Sequence, residues 1–208
     1  MSEQRRLAAI LVADVVGYSK LIGSDEAGTL ARLDTLRVEI IETQIAKHAG
    51  RLFKSVGDGF FIEFASAVQA VSCAKAIQEA NDLGRLPLRI GIHVGDVVVR
   101  GDDLMGDGVN IAARIEGIAA PGGIAITRAV HDQVRDKLDL GFIDRGEIEL
   151  KKHRPTGAGL AMAAKHSSSS ADALADCAPA TRQAVDCRAA IPEHVERSRT
   201  RVPRGWNC

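Results

Sequence analysis

There is no surplus charge of either sign in this sequence: 27 lysines and arginines stand against 27 aspartates and glutamates in 208 residues. No global field draws the chain to nucleic acid or to an anionic membrane, so neither is expected as a partner, and any phosphate ligand must be met by local charge. Long apolar runs are missing as well. None approaches the roughly 18 to 20 residues that span a bilayer, and Met1 to Arg6 is too polar for a signal peptide, so a cytoplasmic protein is expected. Cysteine is scarce, at four. Cys73 falls in a helical pattern, while Cys177, Cys187 and Cys208 lie near the C-terminus without metal-ligand spacing, which points to reduced thiols without a chemical role.

What the chain does have is apolar content, 46% of its residues, ample for the core of one domain with an appendage. Its most informative stretch is Phe53-Lys-Ser-Val-Gly-Asp58-Gly-Phe-Phe-Ile-Glu-Phe64, two apolar strands flanking Gly57-Asp58-Gly59. That spacing puts the Asp58 carboxylate at the tip of a tight hairpin. An earlier strand, Arg6 to Val15, runs into Asp14-Val-Val-Gly-Tyr-Ser19, which places a second carboxylate at a strand end before a turn and a helix. Two such carboxylates side by side suit metal-assisted chemistry on a phosphate. Taken singly, Asp14 reads equally well as a helix cap and Asp58 as a turn residue.

Periodicity then alternates between strand and helix. A helix over about 25–49 carries Leu30, Leu33, Leu36, Ile40, Ile41 and Ile45 along one face and ends at Gly50, and a second spans about 65–83. Leu88 to Val99 reads as strand, turn, strand. The resulting β-α-β-β-α-β order is that of the ferredoxin-like α+β unit, a mostly antiparallel sheet with helices on one face. Further elements follow: a helix over about 108–118, a strand, a helix near 130–138 and two short strands ending at Leu150.

Four pieces in order, Asp14-Val-Val-Gly-Tyr-Ser, Lys54-Ser-Val-Gly-Asp58-Gly, Arg89-Ile-Gly-Ile-His-Val-Gly and Asp103-Leu-Met-Gly-Asp-Gly-Val-Asn110-Ile-Ala-Ala-Arg114, resemble the class III nucleotidyl cyclases over about residues 6–151. These enzymes convert a nucleoside triphosphate into a 3′,5′-cyclic monophosphate and pyrophosphate. The resemblance implies that Asp14 and Asp58 hold two divalent cations, Mg2+ or Mn2+. Val16, Gly17, Tyr18 and Ser19 would face the phosphates with backbone N–H groups. It further implies that Lys54 and Asp103 read the base. A lysine donor to adenine N1 and a carboxylate acceptor for the 6-amino group select ATP over GTP. Asn110 would orient the ribose, Arg114 would meet charge developing at the α-phosphate, and Lys151 and Arg89 would bind phosphate.

Unaided, the same residues have plainer readings: Lys54 as an exposed strand lysine, Asp103 as a loop carboxylate, Arg89 as a solvated strand-edge residue, Arg114 as paired to Glu116 or to solvent. Lys54 and Asp58 are too close in sequence to face opposite ends of one ATP. In the family a head-to-tail homodimer resolves this, with each nucleotide between two protomers and a monomer inactive. Adenylate cyclase is thus the expectation. A guanylate cyclase, or a catalytically impaired nucleotide-binding and dimerisation module, are the alternatives. A diguanylate cyclase would need a Gly-Gly-carboxylate-Glu-Phe hairpin, and Val56-Gly-Asp-Gly-Phe60 stands there instead.

Beyond Lys151 the pattern departs from the family. Lys152 to Ala163 is poor strand sequence where a final apolar strand is expected, which would leave a sheet edge uncovered. Removing one base after the Lys151 codon can restore Asn-Ile-Ala-Arg-Pro-Val-Arg-Val-Trp, so a frameshift is one origin for the C-terminal stretch. The catalytic domain is accordingly set at 1–155. Residues 156–208, with Ser167-Ser-Ser-Ser170 and scattered proline, read as a disordered tail. No regulatory module precedes residue 6, so regulation from upstream is not expected.

Overall fold

The structure, a computed structural model, describes residues 4–81, 86–147 and 160–164. Its centre is β1 (Gln4–Val15), buried without interruption from Ala8 to Ala13 because strands flank it on both sides. β2 (Arg51–Val56) and β3 (Gly59–Phe64) form a hairpin beside it, and β4 (Leu88–Arg100) lies on its other side. The order β2-β3-β1-β4, antiparallel throughout, is the ferredoxin-like arrangement expected from the sequence. β5 (Asp103–Met105) folds back on the end of β4. β6 (Ile124–Thr127) extends the sheet parallel to β4, followed in space by β8 (Leu160–Ala164) and β7 (Phe142–Glu147).

Alternation of side chains sorts the strands onto two faces. Leu11 and Ala13 of β1, Phe60, Ile62 and Phe64 of β3 and Leu88, Ile90 and Ile92 of β4 point to one face. There they meet α2 (Glu26–Thr35), the π-helical turn Leu36–Glu42 that continues it, α3 (Thr43–Lys47), α4 (Ala67–Asn81) and α6 (Arg128–Val134). Complete burial of each Leu, Ile or Phe contributes about 1.5–3 kcal/mol, so this large layer carries most of the stability. Gly50, next to the helix end, is glycine for space: a Cβ there would lie 2.8 Å from Phe64 Cζ.

The helices of that unit, α2 to α4, cover one face as expected, while α5 (Asp107–Ile118), which lies beyond the unit in sequence, packs on the opposite side against Ala8, Ile10, Val12 and Val97. Two expectations are corrected. Leu88–Arg100 is one strand without a turn at Gly95-Asp96, because β1 pairs with it continuously from Val15↔Leu88 to Gln4↔Val99. Finally, the edge beside β6 is covered. Ile124 to Thr127 pairs with Ala164 to Ala161, so backbone hydrogen bonding makes a strand of sequence with little strand propensity. The sheet therefore runs past residue 155. The strand ending at Leu150, Lys151 and the tail from 165 onward lie outside the described residues.

Candidate active site

Two charged clusters occupy the face that bears α5. The first begins at Asp14, one residue from the end of β1 and in register with Arg89. Arg89 is not a solvated edge residue: β4 lies between β1 and β6, and the guanidinium Nη2 donates to Asp14 Oδ2 at 3.0 Å. Its Nε sits 2.9 Å from Glu116 Oε1. The N–H is not aimed along that line, so the contact is an ion pair without a directed hydrogen bond. Glu116 reaches Arg89 because Gly91 lets α5 lie directly on β4, with Ala112 O only 2.6 Å from where a Cβ at residue 91 would stand.

Asp58 closes this cluster from the hairpin. Gly57 and Asp58 form a two-residue turn between β2 and β3, with Gly57 at φ 59, the positive value such hairpin turns require. Asp14 Oδ1 lies 3.8 Å from the position of a Cβ on Gly59, so the hairpin tip stands over the end of β1. Burial raises the Asp58 pKa, backbone hydrogen bonding at Asp58 itself lowers it, and the neighbouring Asp14 carboxylate raises it again. Burial likewise pushes Glu116 up to about 7, against the pull of Arg89 and with the further push of Asp14 and Asp58.

This donor set fits a divalent cation. Two aspartates face each other with one guanidinium shared between Asp14 and Glu116, leaving negative charge uncompensated. Among the described residues no group of three His, Cys, Asp or Glu side chains is placed to hold a metal. A cation here would therefore take its other ligands from water and from substrate phosphate, the usual habit of magnesium.

The second cluster lies along β2 and the β4–β5 hairpin. A β-bulge between Leu52 and Lys54 breaks the alternation, so Phe53 and Lys54 both serve the α5 face while Leu52 packs in the opposite core. Phe53 meets Phe61 edge-on at 6.2 Å between ring centres. Lys54 Nζ donates to Asp103 Oδ2 at 3.2 Å, and Asp103 Oδ1 accepts from its neighbour Leu104 N at 2.9 Å. Asp103, and not Asp102, is thus the carboxylate facing Lys54. The Asp102 carbonyl accepts from Arg51 Nη1 at 3.0 Å, and Arg51 in turn is bound to Glu63, which also takes Arg6.

Asn110 is exposed on α5, with Arg114 half-buried one turn further on the same side. Glu116 pairs with Arg89 and not with Arg114. Of the turn residues, Val16 has spent its N–H on Pro87 O at 2.8 Å. Gly17 takes a left-handed φ of 73, and Tyr18 and Ser19 open the short α1 (Tyr18–Ser24). Arg51 and Glu63 were not singled out in the sequence, and Glu116 was named there only as a neighbour for Arg114. The one available signal was Gly91 opposite α5, which foretells a close helix crossing and so a buried group there.

The family of adenylate and guanylate cyclase catalytic domains matches residues 1–162. “Putative adenylate cyclase 3” of Rhizobium meliloti is 48% identical over 158 residues, which are 72% of this chain and 27% of that protein. An adenylate cyclase of Streptomyces coelicolor is 33% identical over 62% of this chain and 34% of its own length. The chain therefore spans only about a third or less of these relatives. Among solved structures, an adenylate/guanylate cyclase/hydrolase from Silicibacter pomeroyi is 36% identical, with a TM-score of 0.71 over 78% of this chain and 98% of that one. The adenylyl cyclase CyaB of P. aeruginosa, 23% identical, shares the fold at a TM-score of 0.69 over 80% of this chain and 97% of its own. No helix among the described residues is long and apolar enough to cross a membrane. With the ferredoxin-like sheet, the paired aspartates and this match in hand, the chain belongs to the family of adenylate and guanylate cyclase catalytic domains.

Proposed function

We propose that this chain is an adenylate cyclase, making 3′,5′-cyclic AMP and pyrophosphate from ATP at sites shared between two copies of itself. The observation that carries the reading is the separation of the two clusters. Asp14, Asp58 and Arg89 meet at one end of β1, whereas Lys54 and Asp103 meet at the β4–β5 hairpin. One protomer would supply Asp14, Asp58 and Arg89 to a nucleotide, and its partner Lys54, Asp103, Asn110, Arg114 and Lys151.

Asp14 and Asp58 would hold two magnesium or manganese ions, which when bound lower the pKa of the attacking ribose hydroxyl and neutralise the leaving pyrophosphate. Lys54 donates to adenine N1 while Asp103 accepts from the 6-amino group, and the same pair meets guanine with a donor against N1–H and an acceptor against O6. Asn110 orients the ribose so that its 3′-oxygen lies in line with the α-phosphorus. Arg114 donates to the oxygens on which charge grows, and Lys151 and Arg89 retain the phosphates. Guanylate cyclase is the second reading within the family. The Lys54–Asp103 pair argues against it.

The test is to supply ATP or GTP with either ion and to measure cyclic AMP, cyclic GMP and pyrophosphate. Cyclic AMP from the native chain and none from Asp58→Ala supports the reading; cyclic GMP as the main product refutes the base assignment. Mixing Asp58→Ala with Lys54→Ala should then restore about a quarter of native activity, since random exchange makes half the dimers mixed and each mixed dimer has one whole site of two.

A further inference from the structure

We infer that Arg51 is a positioning residue for base selection, a clamp that sets the Asp103 carboxylate where it can accept a hydrogen bond from the base. The inference rests on the reading of Lys54 and Asp103 as the base-reading pair.

Left to themselves, Lys54 and Asp103 make a poor template. Both side chains are substantially exposed, at 44% and 32%, and an ion pair of that kind is worth only about 0–1 kcal/mol. That is less than the entropy of holding two such side chains in one geometry. The backbone beneath Asp103 is not intrinsically firm either. β5 has three residues, and the turn before it contains Gly101 in a left-handed conformation at φ 63.

Arg51 supplies the missing restraint from across the sheet. β2 and β5 are not neighbours in the sheet, since β3, β1 and β4 intervene. Nevertheless Arg51 Nη1 donates to the Asp102 carbonyl at 3.0 Å. That carbonyl shares a planar peptide unit with the Asp103 nitrogen, so anchoring it fixes the plane from which the Asp103 side chain departs. On the far side, buried Leu104 anchors the next residue, and its N–H holds Asp103 Oδ1. The carboxylate is left with Oδ2 presented to Lys54.

The clamp is itself anchored. The Arg51 side chain is 42% exposed, but its Nε is bound to Glu63, which is only 8% exposed and also receives Arg6, so one end of the guanidinium is held at a buried site. A buried carboxylate with two guanidinium partners is a strong and orienting acceptor. The guanidinium fork of Arg51 can thus hold Glu63 with one nitrogen and Asp102 O with another. A lysine has three donors but all on one nitrogen at the end of a flexible stem, so it lacks the spaced, planar pair of nitrogens that Arg51 uses here.

The experiment uses Arg51→Lys and Arg51→Gln in the full chain, with Lys54→Ala as reference. ATP and GTP affinities are read by displacement of a fluorescent nucleotide, followed by kcat, KM and melting temperature. ATP affinity should fall about five- to tenfold in Arg51→Lys, the loss expected when a charged hydrogen bond no longer orders its acceptor. GTP affinity should stay within about twofold, so that preference for ATP narrows while kcat falls less than KM rises. Equal losses for both nucleotides, or a melting-temperature drop with preference intact, would assign Arg51 a structural role and overturn the inference. Preference lost in Lys54→Ala but kept in both Arg51 variants would overturn the clamp alone. Preference unchanged in Lys54→Ala would overturn the base-reading pair and the clamp with it.

Discussion

Replacing Gly91 with alanine asks whether the site depends on how closely α5 lies on β4. A Cβ at this position would overlap Glu116 N and stand 2.6 Å from both Ala112 O and Glu116 Cα. All three are helix backbone and cannot swing aside. To bring the nearest of them, Glu116 N, to ordinary contact at 3.4 Å, α5 must retreat by about 1.2 Å, carrying Asn110, Arg114 and Glu116 with it. Forced overpacking of this kind costs about 1–3 kcal/mol. In a domain of this size that is a fall in melting temperature of roughly 2–4 °C per kcal/mol. Activity should suffer more if Asn110 and Arg114 act as proposed, because a displacement near 1 Å in groups that align a reaction can cost about 100-fold. Scanning calorimetry and cyclic AMP formation, run together, give the two numbers. A variant that melts with the native chain and retains its kcat would show that α5 does not rest on Gly91 as described. One that melts lower with kcat intact would show that the α5 residues do not govern turnover.

Three further outcomes are expected. Burial lowers the His93 pKa to about 4, so its proton is taken up more readily by the unfolded chain. Stability should drain away as pH falls from about 6.5 to 4, by on the order of 3 kcal/mol, and His93→Gln should flatten that limb in denaturant titrations. Glu116 has the opposite sign, its pKa raised to about 7. Stability is lost as pH rises from about 4.5 to 7, by about 1–2 kcal/mol after allowing for the partial solvent access of this cluster, and Glu116→Gln should remove this loss. An unchanged slope in either variant would refute the corresponding assignment. Cys73 is wholly buried on α4, with its thiol pushed up to about 12. Peptide mapping should find it unmodified by a thiol reagent until the protein unfolds, and rapid native labelling at Cys73 would contradict that packing.

Residues whose place in the fold follows from local spacing were legible in the sequence. Asp58 could be placed at a hairpin tip because Gly57 and Gly59 punctuate two apolar runs, and Asp14 at a strand end because the apolar alternation stops there. Asp103 was picked out by its place in the motif that runs to Arg114, and the structure puts it against Lys54. What could not be read is set by contacts between distant segments. Arg89 looked like an edge residue because nothing local says that β6 will pair beyond β4. Glu116 drew notice only as a neighbour for Arg114, whereas an arginine 27 positions earlier, on β4, claims it across the Gly91 gap. Leu160 to Ala164 has small, weakly strand-forming residues, and only the open edges of β6 and β7 make it extended. The bulge at Phe53 is similarly invisible, since it reflects the register that β3 imposes on β2.

The π-helical turn at Leu36–Glu42 has a bearing on how this chain can vary. A π turn takes up one more residue than the α turn it replaces. Arg37 and Glu42, five apart, are bonded at 2.9 Å, a pairing that the wider coil allows. Deleting one residue within 36–42 would let the segment revert to an ordinary α-helix while Leu33 before it and Ile45 after it kept their places in the core. Chain length can therefore change by one here at little structural cost, so gaps in alignments of related chains should gather at this turn and leave the strands and hairpins bearing the aspartates in register.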